Sequence, residues 1–200
     1  MLKNHLIIDN FFDDPDAIRK IALSRYYRYG GKNNGGWKGE RTFQFQDLGN
    51  ICRCCQQEIS SEFQTEQNLL VKESDKIFDI CVKHFDVNRQ DITITSYFHI
   101  TTTETEDCLP FFAQDKLHQD SCLLAGVVYL TPDAPPNAGT SILYVEENEM
   151  VSLENKYNRL IAYEGHRIHG ISNVFGKSRE TGRLTLTYFI HHVNDILEAY

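Results

Sequence analysis

The stretch that most constrains this chain runs from His118 to Ile190. It reads HQDSCLLAGVVYLTP, NAGTSILYV, NRLIAYEGHRIHGISNVFG and GRLTLTYFI. These are short apolar runs rich in β-branched and aromatic residues, each bounded by Gly, Pro, Asn or Asp, and such runs form antiparallel strands. The segment TPDAPPNAG, 131–139, holds three of the five prolines and predicts a turn between two of them.

Polar residues suited to chemistry sit at the ends of these strands. His118 and Asp120 open the first, His166 and His169 follow the third, and Arg183 opens the last. Two neutral imidazoles and a carboxylate on a rigid scaffold form a facial triad that leaves positions open on a non-haem Fe(II). An arginine beyond them can pair bidentately with a carboxylate. A His-x-Asp step alone is weak, and the chain holds a second copy, His84-Phe85-Asp86. That copy ends a predicted helix, no Gly-Thr step or suitably spaced histidine follows it, and it reads as structural. Around His118 the parts come in order: a strand, Tyr129-Leu130, a turn, Gly139-Thr140, a strand, Asn158-Arg159-Leu160, a strand, a histidine, a loop, then Arg183-Leu184-Thr185.

In that order the parts resemble the Fe(II)- and 2-oxoglutarate-dependent oxygenases, close to the prolyl-4-hydroxylase-like branch, over about residues 92–191. The resemblance implies a mainly β fold with flanking helices (α+β). Its centre is a double-stranded β-helix, a cupin-like jelly roll, with N-terminal helices buttressing one sheet. It implies His118, Asp120 and His169 as the iron ligands and catalytic centre. Arg183 and Thr185 match the family's RxS element that holds the distal carboxylate of 2-oxoglutarate, with Thr in place of Ser keeping the hydroxyl. Tyr129 matches the tyrosine that hydrogen-bonds the same carboxylate, and Tyr97 is a further candidate contact. The implied cofactors are Fe(II), 2-oxoglutarate as cosubstrate and O2, with ascorbate as a candidate reductant. The implied reaction is hydroxylation coupled to oxidative decarboxylation. A peptidyl prolyl group, another side chain or a small metabolite would serve as substrate.

His166 and His169 compete for the distal ligand position. His166 falls straight after a strand, whereas His169 lies in the His-Gly-Ile-Ser segment leading into the loop before Arg183, where the family's distal histidine usually sits. That favours His169, with His166 left to line the pocket or meet substrate. Two other classes stay open. A cupin-like metalloenzyme that does not use 2-oxoglutarate would have no use for Arg183 with Thr185. A non-catalytic jelly-roll binding module would tolerate loss of the triad, which is intact here.

With 200 residues, 41% of them hydrophobic, the chain supports one sizeable core. The expectation is a single domain over 1–200, with a support region over 1–90 and the jelly-roll core over 91–192. A net charge of −8 disfavours nucleic acid as a partner. No signal-peptide pattern opens the chain and no apolar run is long enough for a membrane helix, so the expected location is cytoplasmic, away from membranes. No motif speaks to oligomeric state. Cys52 and Cys55 share helical spacing with Leu48, Ile51 and Ile59, and the Cys52, Cys54, Cys55 group reads as small hydrophobes on a helix face rather than metal ligands. All six cysteines are expected to be thiols.

Ahead of the β-rich half, His5–Phe12 predicts a strand. Asp14 as N-cap and Pro15 at the first helical position predict a helix to about Arg25, with Ile18, Ile21 and Ala22 on one face. Residues 25–41, RYYRYGGKNNGGWKGER, mix Arg25, Arg28, Lys32, Lys38 and Arg41 with aromatics and paired glycines. They read either as a loop framing the active-site mouth or as plain surface; single-stranded nucleic acid ranks third, for want of any accompanying motif. Phe63–Val71 is ambiguous between strand and helix, and Ser74–Phe85 predicts a helix with Ile77, Ile80, Cys81 and His84 inward. Asp91–Thr101 alternates, with Ile92, Ile94, Ser96, Phe98 and Ile100 on one face and Thr93, Thr95, Tyr97, His99 and Thr101 on the other, as a strand does. Thr102–Lys116 reads as a polar connection bordering the substrate opening, and Glu146, Glu147 and Glu149 as a solvated patch.

Overall fold

A computed structural model describes residues 5–30, 37, 39–47, 60–107 and 117–194. The chain starts with β1 (His5–Ile8) and α1 (Pro15–Ser24), then two short strands, β2 (Arg28–Tyr29) and β3 (Glu40–Arg41). A long helix, α2 (Ser61–His84), leads to β4 (Ile92–Thr101) and a single turn of helix, α3 (Thr103–Asp107). Six strands follow: β5 (Leu124–Tyr129), β6 (Thr140–Tyr144), β7 (Glu149–Leu153), β8 (Leu160–Glu164), β9 (Ile168–Ile171) and β10 (Arg183–His192).

Local chemistry sets the helix ends. Asp14 accepts a hydrogen bond from the Ala17 amide at 2.9 Å, and Pro15 follows it, so α1 begins where the cap and the proline place it. Residues 63–71 and 74–85 do not form separate elements: α2 is one helix of 24 residues. No Gly or Pro interrupts it, and Ser74 satisfies its hydroxyl on the Leu70 carbonyl within the helix. Gln67, Leu70, Ser74, Ile77 and Cys81 form one buried stripe at helical spacing. His84, expected inward, is exposed. Phe85 packs against the core in its place, and Asp86 follows with φ 52°, ending the helix.

The strands form two antiparallel sheets, one of seven in the order β1-β8-β5-β10-β4-β3-β2 and one of three in the order β7-β6-β9. Because successive side chains alternate, each central strand of the large sheet serves two layers. Leu184, Leu186, Tyr188 and Ile190 of β10 join Phe98, Ile100, Val128 and Leu160 under Ile18 and Ile21 of α1 and Leu70 and Ile77 of α2. The other face of the sheet turns Val127, Tyr129, Ile161 and Tyr163 toward Ile142, Tyr144 and Leu153 of the small sheet. Full burial of each large aliphatic side chain stabilises by about 1.5–3 kcal/mol.

Four short strands escape a reading of the sequence: β7, β9 and the two-residue β2 and β3. β7 is an edge strand whose residues are mostly exposed, so it carries no apolar signature; its pairing with β6, Thr140 against Leu153 through Tyr144 against Glu149, defines it. The acidic residues 146–149 flank the β6–β7 turn and are exposed, with Glu146 3.8 Å from Arg167. β9 is only four residues long, and His169 lies inside it opposite Ile142 rather than in a loop. Both ends of the 25–41 segment add to the large sheet as β2 and β3, while 31–36 and 38 lie outside the described residues. So do the predicted cysteine helix, with Cys52, Cys54 and Cys55, and residues 108–116; Cys81 and Cys122 are free thiols. No described helix is long and apolar enough to cross a membrane.

Candidate functional site

His118 and His169 are held opposite each other by a pair of backbone hydrogen bonds, each amide donating to the other's carbonyl at 2.8 Å. Their rings lie 4.5 Å apart. The Asp120 amide donates to the Gly165 carbonyl at 2.9 Å, which anchors the third residue beside them. Asp120 Oδ2 lies 3.2 Å from His169 Nε2, and Oδ1 lies 3.5 Å from His118 Nε2. One ligand atom from each of the three lies within 4.8 Å of the others, and among the described residues this is the one cluster that could hold a metal ion.

The hydrogen-bonding pattern bears on whether a metal fits. His169 Nδ1 is 2.8 Å from the Arg167 carbonyl, which only accepts, so Nδ1 carries the hydrogen. Nε2, 3.2 Å from Asp120 Oδ2, is then the nitrogen left to offer a lone pair to a cation beside the carboxylate. A backbone carbonyl on Nδ1 is how metal-binding imidazoles are oriented. The Tyr163 ring, 4.6 Å from that of His169, packs the buried imidazole in place. Burial alone would push the Asp120 carboxyl up; the His169 hydrogen bond and the charges of His169, His118 and Arg41 outweigh it and hold it below its ordinary value. The His118 side chain is 56% exposed, so the cluster opens to solvent on that side.

Arg183, at the start of β10, is 3% exposed and points to the same inner face. Its guanidinium lies over the Tyr129 ring and donates to Thr140 Oγ1 at 3.3 Å, and Thr140 also meets the Tyr129 hydroxyl at 2.8 Å. No carboxylate among the described residues pairs with Arg183, and its Nε has no hydrogen-bond partner. Burial pushes this guanidinium below its ordinary value. A buried cation with unmet donors is costly unless a ligand completes it, and the distal carboxylate of 2-oxoglutarate has the charge and the fork geometry to do so. Thr185, two residues on, shares the face; its hydroxyl contacts Thr187 Oγ1 at 3.0 Å and donates to the His99 carbonyl at 3.4 Å. Tyr97, 6% exposed, faces the same interior.

Of the two rival histidines, His166 is exposed outside the cluster, and its carbonyl accepts from the Gln119 amide group at 2.5 Å. The His84-Phe85-Asp86 step lies at the end of α2, away from any cluster. Three residues beside the site escaped the sequence reading. Tyr163 packs His169, Thr140 bridges Tyr129 and Arg183, and Arg41 reaches the interior from β3. The Gly139-Thr140 step and the alternation of β8 were the available signals; for Arg41 there was only its basic, aromatic neighbourhood.

No protein-family model matches this sequence, and no curated protein matches it. Solved structures do. A prolyl hydroxylase from Trichoplax adhaerens, in complex with a hypoxia inducible factor peptide, is 14% identical with a TM-score of 0.59, covering 100% of this chain and 88% of its own. A prolyl-4-hydroxylase from Pseudomonas putida is 13% identical with a TM-score of 0.56, over 95% and 94% of the two chains. The dioxygenase for auxin oxidation from Arabidopsis thaliana, bound to 2-oxoglutarate, is 12% identical with a TM-score of 0.56, over 94% and 82%. The likeness thus reaches well beyond residues 92–191, into the N-terminal strands and helices. At these identities it establishes architecture: the chain has the fold of the 2-oxoglutarate- and Fe(II)-dependent oxygenases, prolyl hydroxylases among them.

Proposed function

We propose that this chain is an Fe(II)- and 2-oxoglutarate-dependent oxygenase, a hydroxylase of the prolyl-4-hydroxylase-like branch, folded as one domain around a jelly-roll core. The observation that carries the reading is the pairing of two unmet demands on one face. A His-Asp-His cluster has ligand atoms within 4.8 Å of one another, and Arg183 is a buried cation without a counter-ion among the described residues.

His118, Asp120 and His169 would hold Fe(II), which with 2-oxoglutarate supplies the dioxygen activation and C–H oxidation that the side chains cannot perform. The chain's own residues bind and orient. The Arg167 carbonyl fixes the His169 tautomer so that Nε2 keeps its lone pair. Arg183 binds the distal carboxylate of 2-oxoglutarate, with Thr185 beside it, and Thr140 and Tyr129 steady the guanidinium. Val127, Ile161 and Tyr163 wall the interior and exclude water. The exposed His118 side leaves the approach for substrate, peptidyl or small.

The test is anaerobic reconstitution with Fe(II) and 2-oxoglutarate, followed by admission of oxygen and assay of succinate. The expected result is the visible charge-transfer band of the metal-bound cosubstrate, then succinate even without a prime substrate. Asp120→Ala and His169→Ala should lose the band, and His166→Ala should keep it. Metal uptake without band or succinate would favour a cupin-like metalloenzyme; no metal uptake would leave a binding module.

A further inference from the structure

The inner face of the large sheet carries a second, half-buried cation that the cosubstrate reading does not use. Arg41 of β3 lies opposite His99 of β4. His99 lies opposite Thr185 of β10, and Thr185 opposite Tyr129 of β5. Directly paired residues share a face, so these four form one row, with Arg41 displaced from Thr185 by two strands, roughly 10 Å. The Arg41 guanidinium lies between two rings, 4.8 Å from the centroid of Trp37 and 4.8 Å from that of Tyr97. Arg41 and Asp120 are near enough for each to feel the other's charge.

Several buried polar atoms in this corner lack partners among the described residues. Arg41 Nε, the Tyr97 hydroxyl and Trp37 Nε1 are all buried without a hydrogen-bond partner, and Tyr97 as a whole is 6% exposed. Arg41 makes no ion pair with a carboxylate among the described residues. Arg28 of β2, paired with Arg41 across the strands, is exposed and lays its guanidinium over the Phe43 ring at 4.2 Å, so it supplies no counter-charge. Burial pushes the Arg41 guanidinium below its ordinary value, outweighing the opposing influence of Tyr97 and Asp120. Each unmet buried donor costs stability unless a ligand supplies an acceptor, and an anion answers all of them together. On the proposed function, the two carboxylates of 2-oxoglutarate are already committed, one to Arg183 and one to the metal.

We propose that Arg41, with Tyr97 and Trp37, forms an anion site toward the β3 edge that holds a carboxylate of the prime substrate beside the triad. The inference rests on the oxygenase reading and narrows its substrate class to carboxylate-bearing compounds. The carboxylate can belong to a free acid or to an acidic side chain of a peptide.

Trp37 is the single tryptophan of the chain, so its fluorescence reports on this corner. The full chain, loaded with Zn(II) and saturated with 2-oxoglutarate, is titrated with N-acetylleucine, its neutral analogue N-acetylleucinamide, and N-acetylaspartic acid α-amide, whose one free carboxylate is on the side chain. At least one acid should perturb Trp37 emission with a dissociation constant about tenfold or more below that of the neutral amide. The stronger of the two acids tells terminal from side-chain recognition. Arg41→Gln should erase the preference and Arg41→Lys should restore part of it. Equal response to acid and amide, or no response to either acid, overturns the proposal. So does a loss of 2-oxoglutarate affinity in Arg41→Gln as large as its loss of acid affinity, which would assign Arg41 to the cosubstrate. The two readings fail separately: absence of the Fe(II) charge-transfer band removes the oxygenase reading whatever Trp37 does, and a band without acid preference removes only this one.

Discussion

The two faces of the large sheet are made by the same strands and buried to the same degree, yet they obey different rules. Toward the helices, β10 presents Leu184, Leu186, Tyr188 and Ile190; toward the small sheet it presents Arg183, Thr185 and Thr187. On the helix side even the polar handle is met: the Tyr188 hydroxyl donates to the Ile161 carbonyl at 2.8 Å. Among the described residues, five side chains of this sheet carry a buried polar atom with no partner, and four of them, Arg41, Tyr97, Thr101 and Arg183, are on the inner face; Ser96, on the helix side, is the fifth. Burial therefore does not distinguish scaffold from site. Unmet capacity on cationic side chains of the sheet does, since Arg41 and Arg183 both lie on the inner face, where a ligand can remove the cost.

Substitutions on the two faces should therefore fail in opposite ways. The largest effect is expected on the helix side. Phe98→Ala removes a fully buried ring packed 4.9 Å from Phe45 and should cost about 3–5 kcal/mol of stability, measured by denaturant unfolding, without any specific loss of metal affinity in the protein that remains folded. Next comes Arg183→Met on the inner face. It should abolish the 2-oxoglutarate-dependent band, yet raise the stability of the ligand-free chain by on the order of 1 kcal/mol, since an unpaired buried charge is replaced by an apolar side chain. A lower melting temperature for this variant would mean that Arg183 is satisfied within the protein, and the contrast between the faces would fail.

The smallest effect lies at the sheet margin, away from both faces. Asp9 takes hydrogen bonds from Arg159 at 2.6 Å and Lys156 at 2.7 Å, and these hold its carboxyl well below the ordinary carboxylate range. A carboxyl that ionises more readily when folded stabilises above its unfolded value, about 3.9, and that contribution is lost as pH falls further. Asp9→Asn should therefore lower stability at neutral pH and flatten the acid limb of the pH–stability curve. The cluster is largely solvent-screened, so the change should be within about 1 kcal/mol.

Much of the scaffold was legible because its determinants are local. Asp14-Pro15 dictated a helix start through a cap and a fixed φ, and Ile92 to Thr101 announced a strand by alternation. His118, Asp120 and His169 could be picked out because the order of motifs along the chain resembles that of the oxygenase family. What stayed hidden depended on partners distant in sequence. β7 has no apolar pattern of its own and exists through β6. The ambiguity over 63–71 vanished once one continuous stripe met the sheet. His84 lost its inward place to Phe85, a choice that periodicity one turn from a helix end cannot make.

The sequence by itself determined the class of structure and the donor set: antiparallel strands, capped helices, two imidazoles with a carboxylate, and an arginine at the head of the last strand. Tertiary structure brought His169, the histidine the sequence favoured, to Asp120, because β9 turns it inward beside His118 while His166 stays on the surface. It alone placed Arg41 in one row with Thr185 and Tyr129, from residues 88 and more positions away in the chain. The reason is that side-chain chemistry and short-range periodicity are carried by neighbouring residues, whereas register between strands is set by the whole sheet closing on its core.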